Sequence, residues 1–168
     1  MSDEATNPEA AAATAADQSQ RRVQIMKLYL KDASFESPAV PSLFSADHQP
    51  QQPSVDLQLN TELQRVGENL HEVVLVVTVT GKDEQRTLFL VEVKQAALFQ
   101  IEGFAGDELD HLLNAYCPGT LFPYAREVVS ELVNKGALPH VTLQPVNFDA
   151  LYLQHRRQQQ AGGSEAAT

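Results

Sequence analysis

The sequence predicts an α+β fold, a block of antiparallel strands followed by helices. Three observations carry this. Leu70 to Phe104 is denser in β-branched and aromatic residues than the rest of the chain. Within it Gly81-Lys82-Asp83-Glu84-Gln85 reads as a short polar hairpin loop, so the strands on either side pair antiparallel. Beyond it the apolar spacing changes from two to the helical repeat, with cap residues at the breaks.

The β block divides into a strand over Glu72–Thr80, a second over Arg86–Lys94 and a short third over Ala97–Glu102. Alternation puts Phe89, Val91, Val93 and Gln95 on one face of the second strand, and Leu88, Leu90, Glu92 and Lys94 on the other. The first strand is apolar on both sides, which predicts that both faces of the sheet are covered, by the chain's own helices or by another subunit.

Upstream, residues 1–20 are Ala-rich and acidic, too poor in large apolar side chains to offset their ordering entropy, and are expected to be disordered. Order begins near Arg21. Val23 to Phe35 alternates as a strand, with Ile25, Tyr29, Ala33 and Phe35 on one side and Leu28, Leu30, Asp32, Ser34 and Glu36 on the other. On their own, two acids on a strand read as solvated. Ser37 to Thr61 holds Pro38, Pro41, Pro50 and Pro53 and reads as a long crossing loop. Val40, Leu43 and Phe44 argue that it packs, and Val55 to Leu59 alternates well enough to extend into the sheet.

Downstream, a helix is expected from Asp107 as N-cap to about Tyr116, broken by Pro118-Gly119. A second starts near Leu121 with Pro123 in its first turn; Leu121, Ala125, Val128, Val129, Leu132 and Val133 recur at helical spacing and Gly136 closes it. Ala137 to Pro145 is an extended loop, and Asn147 caps a last helix over Phe148 to about Gln158. The organisation is one domain over 21–158, with a flexible tail over 159–168.

The formal net charge of −10 repels phosphate, which weighs against nucleic acid or an anionic membrane and leaves basic or unfolded polypeptides as partners. The single cysteine, Cys117, excludes an intrachain disulfide and fits a reducing compartment. There is neither a basic-then-apolar leader pattern nor a run of 18 apolar residues.

No catalytic constellation is expected. Gly81-Lys82 has Val76 where a phosphate loop needs glycine and Asp83 where it needs a hydroxyl. The five histidines are scattered, which argues against a metal, and no cofactor is implied. Cys117 precedes Pro118 in an apolar setting and reads as a buried, inert thiol. Three readings remain: a binder of unfolded chains, an oligomeric scaffold without a client and, more weakly, a small-ligand enzyme.

Three segments, YLKDASFESPAVP (29–41), AYCPGTLFPYARE (115–127) and PVNFDALY (145–152), resemble the SecB family of protein-export chaperones, in the same order and with the sheet between them. The likeness spans about residues 21 to 158. It implies a four-stranded antiparallel sheet with helices on one face, assembled as a homotetramer, a dimer of dimers. It also implies an ATP-independent chaperone of the bacterial cytoplasm that holds presecretory proteins unfolded and passes them to the SecA motor.

The resemblance assigns roles by position. Phe89, Val91, Val93 and Gln95, with Leu121, Val128 and Leu132, match the interface between dimers. Asp32, Glu36, Leu90 and Glu92 match the acidic SecA-docking surface, which reverses the solvated reading of the two acids. Val40, Leu43, Phe44, Leu138, Val141 and Leu143 match the client groove, with Phe35 and Tyr152 at its margin. The chain departs from the family at His48-Gln49-Pro50, where Trp-Gln-Pro is common, and at Ala96-Ala97, where glycines are common and alanine should stiffen a bend. Its N-terminal tail is also longer.

Overall fold

A computed structural model describes residues 21–45, 52–83 and 86–165, with side chains as far as residue 160. The N-terminal segment 1–20, the tripeptide His48-Gln49-Pro50, Glu84-Gln85 of the hairpin loop and the last residues of the C-terminal tail lie outside the described residues.

Four strands, β1 (Arg22–Glu36), β2 (Ser54–Gly67), β3 (Leu70–Lys82) and β4 (Thr87–Glu102), form one sheet in the order β1-β4-β3-β2. All neighbours are antiparallel. β1 and β2 are therefore the two edges, and the proline-rich connection crosses from one to the other. It includes a short 3₁₀ turn at Ser42–Phe44. The loop ends earlier than expected, because β2 begins at Ser54. On an edge strand, Gln58, Asn60, Glu62 and Gln64 alternate as the polar half of a strand rather than marking a loop. Asn69, at φ 56°, makes the tight turn into β3.

The second and third strands of the sequence reading are one strand. β4 pairs without a break through Ala96 and Ala97, both fully buried. Gly81 belongs to β3 rather than to the hairpin loop. A Cβ there would lie 2.1 Å from the ring of Phe89, its cross-strand partner.

β1 departs most from simple alternation. Met26 and Lys31 have no partner in β4, and the register shifts at each. These bulges move Leu28 and Leu30 to the same side as Val23, Ile25, Ala33 and Phe35, and move Tyr29 to the side of Asp32, Ser34 and Glu36. The expected grouping of Tyr29 with Ile25, and of Leu28 and Leu30 with Asp32, is thereby corrected.

Helices cover one face. α1 (Gly106–His111) leads through a single π turn (Leu112–Tyr116) directly into α2 (Cys117–Lys135). Pro118-Gly119 does not break this run. The widened turn shifts the hydrogen-bond ladder just before Pro118, whose nitrogen has no proton to give. Pro123 lies inside α2 rather than in its first turn, and the N-cap position of α1 is Ala105, not Asp107. Leu121, Ala125, Val129 and Val133, one per turn, are fully buried against Val73, Leu75, Val77, Val79, Phe89, Val91 and Val93.

Lys135 ends α2. Gly136 is needed there for close approach, since a Cβ would lie 2.4 Å from the ring of Phe35. α3 (Phe148–Glu165) runs seven residues beyond the expected end, capped as predicted by Asn147, whose Oδ1 accepts from the N–H of Ala150 at 3.0 Å. Phe148 and Tyr152 anchor it in the core. The Tyr152 hydroxyl donates to Asp110 at 2.7 Å, and Arg156 pairs with Asp107 at 3.1 Å.

Candidate functional site: an acidic sheet face and an apolar loop

No helix covers the other face of the sheet. It carries the even-numbered residues of β2, β3 and β4, together with Tyr29, Asp32, Ser34 and Glu36 of β1. The register sets Glu36 against Leu90, Ser34 against Glu92 and Asp32 against Lys94. All four residues assigned by resemblance to docking thus share one surface across two adjacent strands. Among the described residues Asp32 and Glu36 form no ion pair, while Lys94 reaches away to Glu62 at 3.7 Å. Thr78 donates to Glu92 at 3.5 Å. The result is a patch in which the carboxylates of Asp32 and Glu36 are exposed, and the half-buried side chains of Glu92 and Leu90 lie beside them. Such a surface attracts a basic partner over several ångströms and orients it before contact.

A small apolar cluster, Val74, Val76 and Ala96, also lies on this face beneath Tyr29. Beside it stands Glu72, a carboxylate only 9% exposed. The Lys31 ammonium donates to both its oxygens, at 2.9 and 2.8 Å, and the Tyr29 hydroxyl donates to one of them. The Lys31 hydrogen bond, followed by that of Tyr29, holds the Glu72 carboxyl below its ordinary range. Burial, with the same carboxylate as neighbour, pushes the Tyr29 phenol up to about 12. Sequence reasoning missed this triad. It spans three strands, and nothing in the order of residues places Glu72 opposite Lys31.

The groove candidates divide. Val40 and Phe44 are exposed, Phe44 at 57%, and Leu43 is half-buried against the core. Leu138, Val141 and Leu143 are buried within the chain's own core, as is Tyr152, and Phe35 is half-buried on Gly136. The extended loop therefore turns its apolar residues inward, since a loop lacking regular structure is held in place by such anchors. Of the groove candidates, Val40 and Phe44 of the crossing loop are the ones that stand open.

The interface candidates also differ in exposure. Phe89, Val91 and Val93 have no exposed surface, because α2 of the same chain lies on them, and Leu121, in α2 itself, is fully buried against the sheet. Gln95 is 4% exposed, and its amide donates to the Tyr29 carbonyl at 2.9 Å. Within the chain these side chains lie beneath the helical layer. Val128 and Leu132, on the flank of α2, stay partly buried, and Ile25, Leu28 and Leu30 on the same side of β1 are exposed.

Cys117 is fully buried, and burial pushes its thiol up to about 12, as an inert structural cysteine requires. Among the described residues no three histidine, cysteine or acidic side chains gather as a metal site.

Residues 16–159 match the model of the family described as preprotein translocase subunit SecB. The protein-export protein SecB of Alcanivorax borkumensis is 52% identical over 90% of this chain and 96% of its own length. That of Nitrosococcus oceani is 46% identical over 98% and 97%. Among solved structures, the SecB-like chaperone of Mycobacterium tuberculosis, in complex with a ChAD peptide from the HigA1 antitoxin, shares the fold. Its TM-score is 0.58 at 18% identity, over 85% of this chain and 99% of that one. With the antiparallel sheet, the helices on one of its faces and the three sequence segments in place, the chain belongs to the SecB family of protein-export chaperones.

Proposed function

We propose that this chain holds unfolded presecretory polypeptides in the bacterial cytoplasm, without nucleotide, and delivers them to the SecA motor. The working form in this reading is a homotetramer, a dimer of dimers. The chain is a chaperone of the export pathway and not an enzyme. The observation that carries the fuller reading is the display, on one subunit, of exposed apolar residues in the crossing loop and an open sheet face on which, among the described residues, Asp32 and Glu36 form no ion pair. The peptide held by the mycobacterial SecB-like chaperone supports the client role. Among the described residues no helix is long and apolar enough to cross a membrane.

Val40, Leu43 and Phe44 grip an unfolded chain weakly and without regard to sequence, because folded proteins hide their apolar side chains. Repetition on several subunits raises the effective concentration of sites along one client, so no single site has to bind tightly. Transfer needs no nucleotide here if motor and client occupancy are coupled, or if the motor captures a fast-dissociating chain. A scaffold without client is favoured only by the burial of Leu138, Val141 and Leu143; Val40 and Phe44 weigh against it.

Native mass spectrometry with and without an unfolded preprotein tests the proposal. The expected species are four copies alone and four copies with one client. A subunit that neither assembles nor retains the unfolded chain overturns it.

A further inference from the structure

Among the described residues two polar side chains are buried, Glu72 and Gln95. They come from different strands and lie on opposite faces of the sheet, yet both serve one place, the bulge of β1 between Leu30 and Asp32. Lys31 is the residue that the bulge inserts, and both of its hydrogen bonds go to Glu72, in β3, beyond the intervening β4. Gln95 sits opposite Leu30, and its amide donates to the carbonyl of Tyr29 at the mouth of the bulge. A bulge disrupts the ladder locally, and a backbone carbonyl left without partner is costly when buried. Two buried polar groups converging on it make this bulge a held feature.

Its effect is on facing. A one-residue slip in a strand sends each side chain to the opposite face of the sheet. With the bulge, Ile25, Leu28 and Leu30 share the helix side with Ala33 and Phe35, while Asp32, Ser34 and Glu36 share the open side with Leu90 and Glu92. Without it, one half of β1 must turn over. The C-terminal half is pinned where the Phe35 ring lies against Gly136. The N-terminal half is then the one that flips, carrying Leu28 and Leu30 onto the open face and Tyr29 off it.

We infer that Glu72 and Gln95 are positioning residues for partner docking: by holding the Lys31 bulge they keep the acidic face free of β1's aliphatic side chains. This rests on the docking role proposed above for Asp32, Glu36, Leu90 and Glu92. Neither Glu72 nor Gln95 belongs to that set.

The experiment reads register and docking separately in the full chain. In the present register Lys27 faces Leu98; a slip that removes the bulge brings Leu28 there instead. Oxidation of a Lys27→Cys/Leu98→Cys variant should therefore form a cross-strand disulfide, and Leu28→Cys/Leu98→Cys should not, with buried Cys117 standing apart. Adding Glu72→Gln should shift the preference toward the second pair, and in an otherwise native chain should weaken binding of purified SecA about tenfold, as expected for losing charge-assisted bonds to a buried group. Gln95→Leu is the second variant and should act in the same direction. Lys31→Arg, which keeps a cation on the bulge, should leave both readouts unchanged.

An unchanged disulfide preference in both Glu72→Gln and Gln95→Leu overturns the inference, whatever happens to SecA. A shifted preference with undiminished SecA affinity overturns instead the docking role of the acidic face.

Discussion

Glu72 shows how one residue can matter without being seen from outside. Its carboxyl is held below the ordinary 4.5, first by the Lys31 hydrogen bond and then by Tyr29. A carboxyl depressed in the folded state stabilises above its unfolded value, and that contribution is lost as pH falls through the lower, folded value. Denaturant unfolding of the native chain and of Glu72→Gln should therefore differ most at neutral pH. The gap should close below about pH 4.5 as the native carboxyl takes up its proton. A gap that stays constant across that range would show that Lys31 contributes nothing through charge.

Elements were legible in proportion to how far their residues obey one period. α2 obeys it, and its buried stripe stands where the spacing predicts. β3 and β4 are legible from composition, though Gln95-Ala96 reads as a break between two strands because neither residue carries a strong strand signal. β2 was mostly missed, since an edge strand facing water on one side resembles a polar loop. β1 was found but its two bulges were not, so Tyr29, Leu28 and Leu30 were assigned to the wrong faces. Pro118 and Pro123 were read as a stop and a start because a π turn leaves no mark in the sequence. That Asp32 and Glu36 share a face is legible, since the C-terminal half of β1 follows simple alternation; their grouping with Leu90 and Glu92 comes from the resemblance. The exposure of the groove candidates is not legible, because nothing in the residues from 137 to 145 says whether a loop leucine turns inward.

The last helix was correctly capped, and its cap can be tested at this scale. Asn147→Ala removes the acceptor for the Ala150 N–H and should cost about 1 kcal/mol of local stability. Amide exchange over the first turns of α3 should quicken about fivefold while β3 and β4 stay as protected as before. Equal acceleration in the sheet would mean that α3 is not a separately opening unit.

The whole molecule keeps its two kinds of surface apart, apolar residues on the crossing loop and on the helix side of the edge strands, acids on the bare face. Charge on such a face mainly sets encounter rate and orientation. Glu92→Lys should therefore slow and weaken SecA binding, by about tenfold at low ionic strength and by less as salt is raised. The assembly seen by native mass spectrometry should be unaltered. Undiminished affinity in that variant would count against docking through this face.

α2 seals the β-sheet from within, with its buried stripe laid over Val77, Val79, Val91 and Val93 of the same chain. A subunit finished in this way should keep its fold when separated from its neighbours, which circular dichroism across a dilution series would check. Dilution would scatter any assembly into intact pieces rather than denatured ones, and reassembly on concentrating them would require no refolding. Cellular abundance would then govern how many sites act together on one client, while each protomer stays sound by itself.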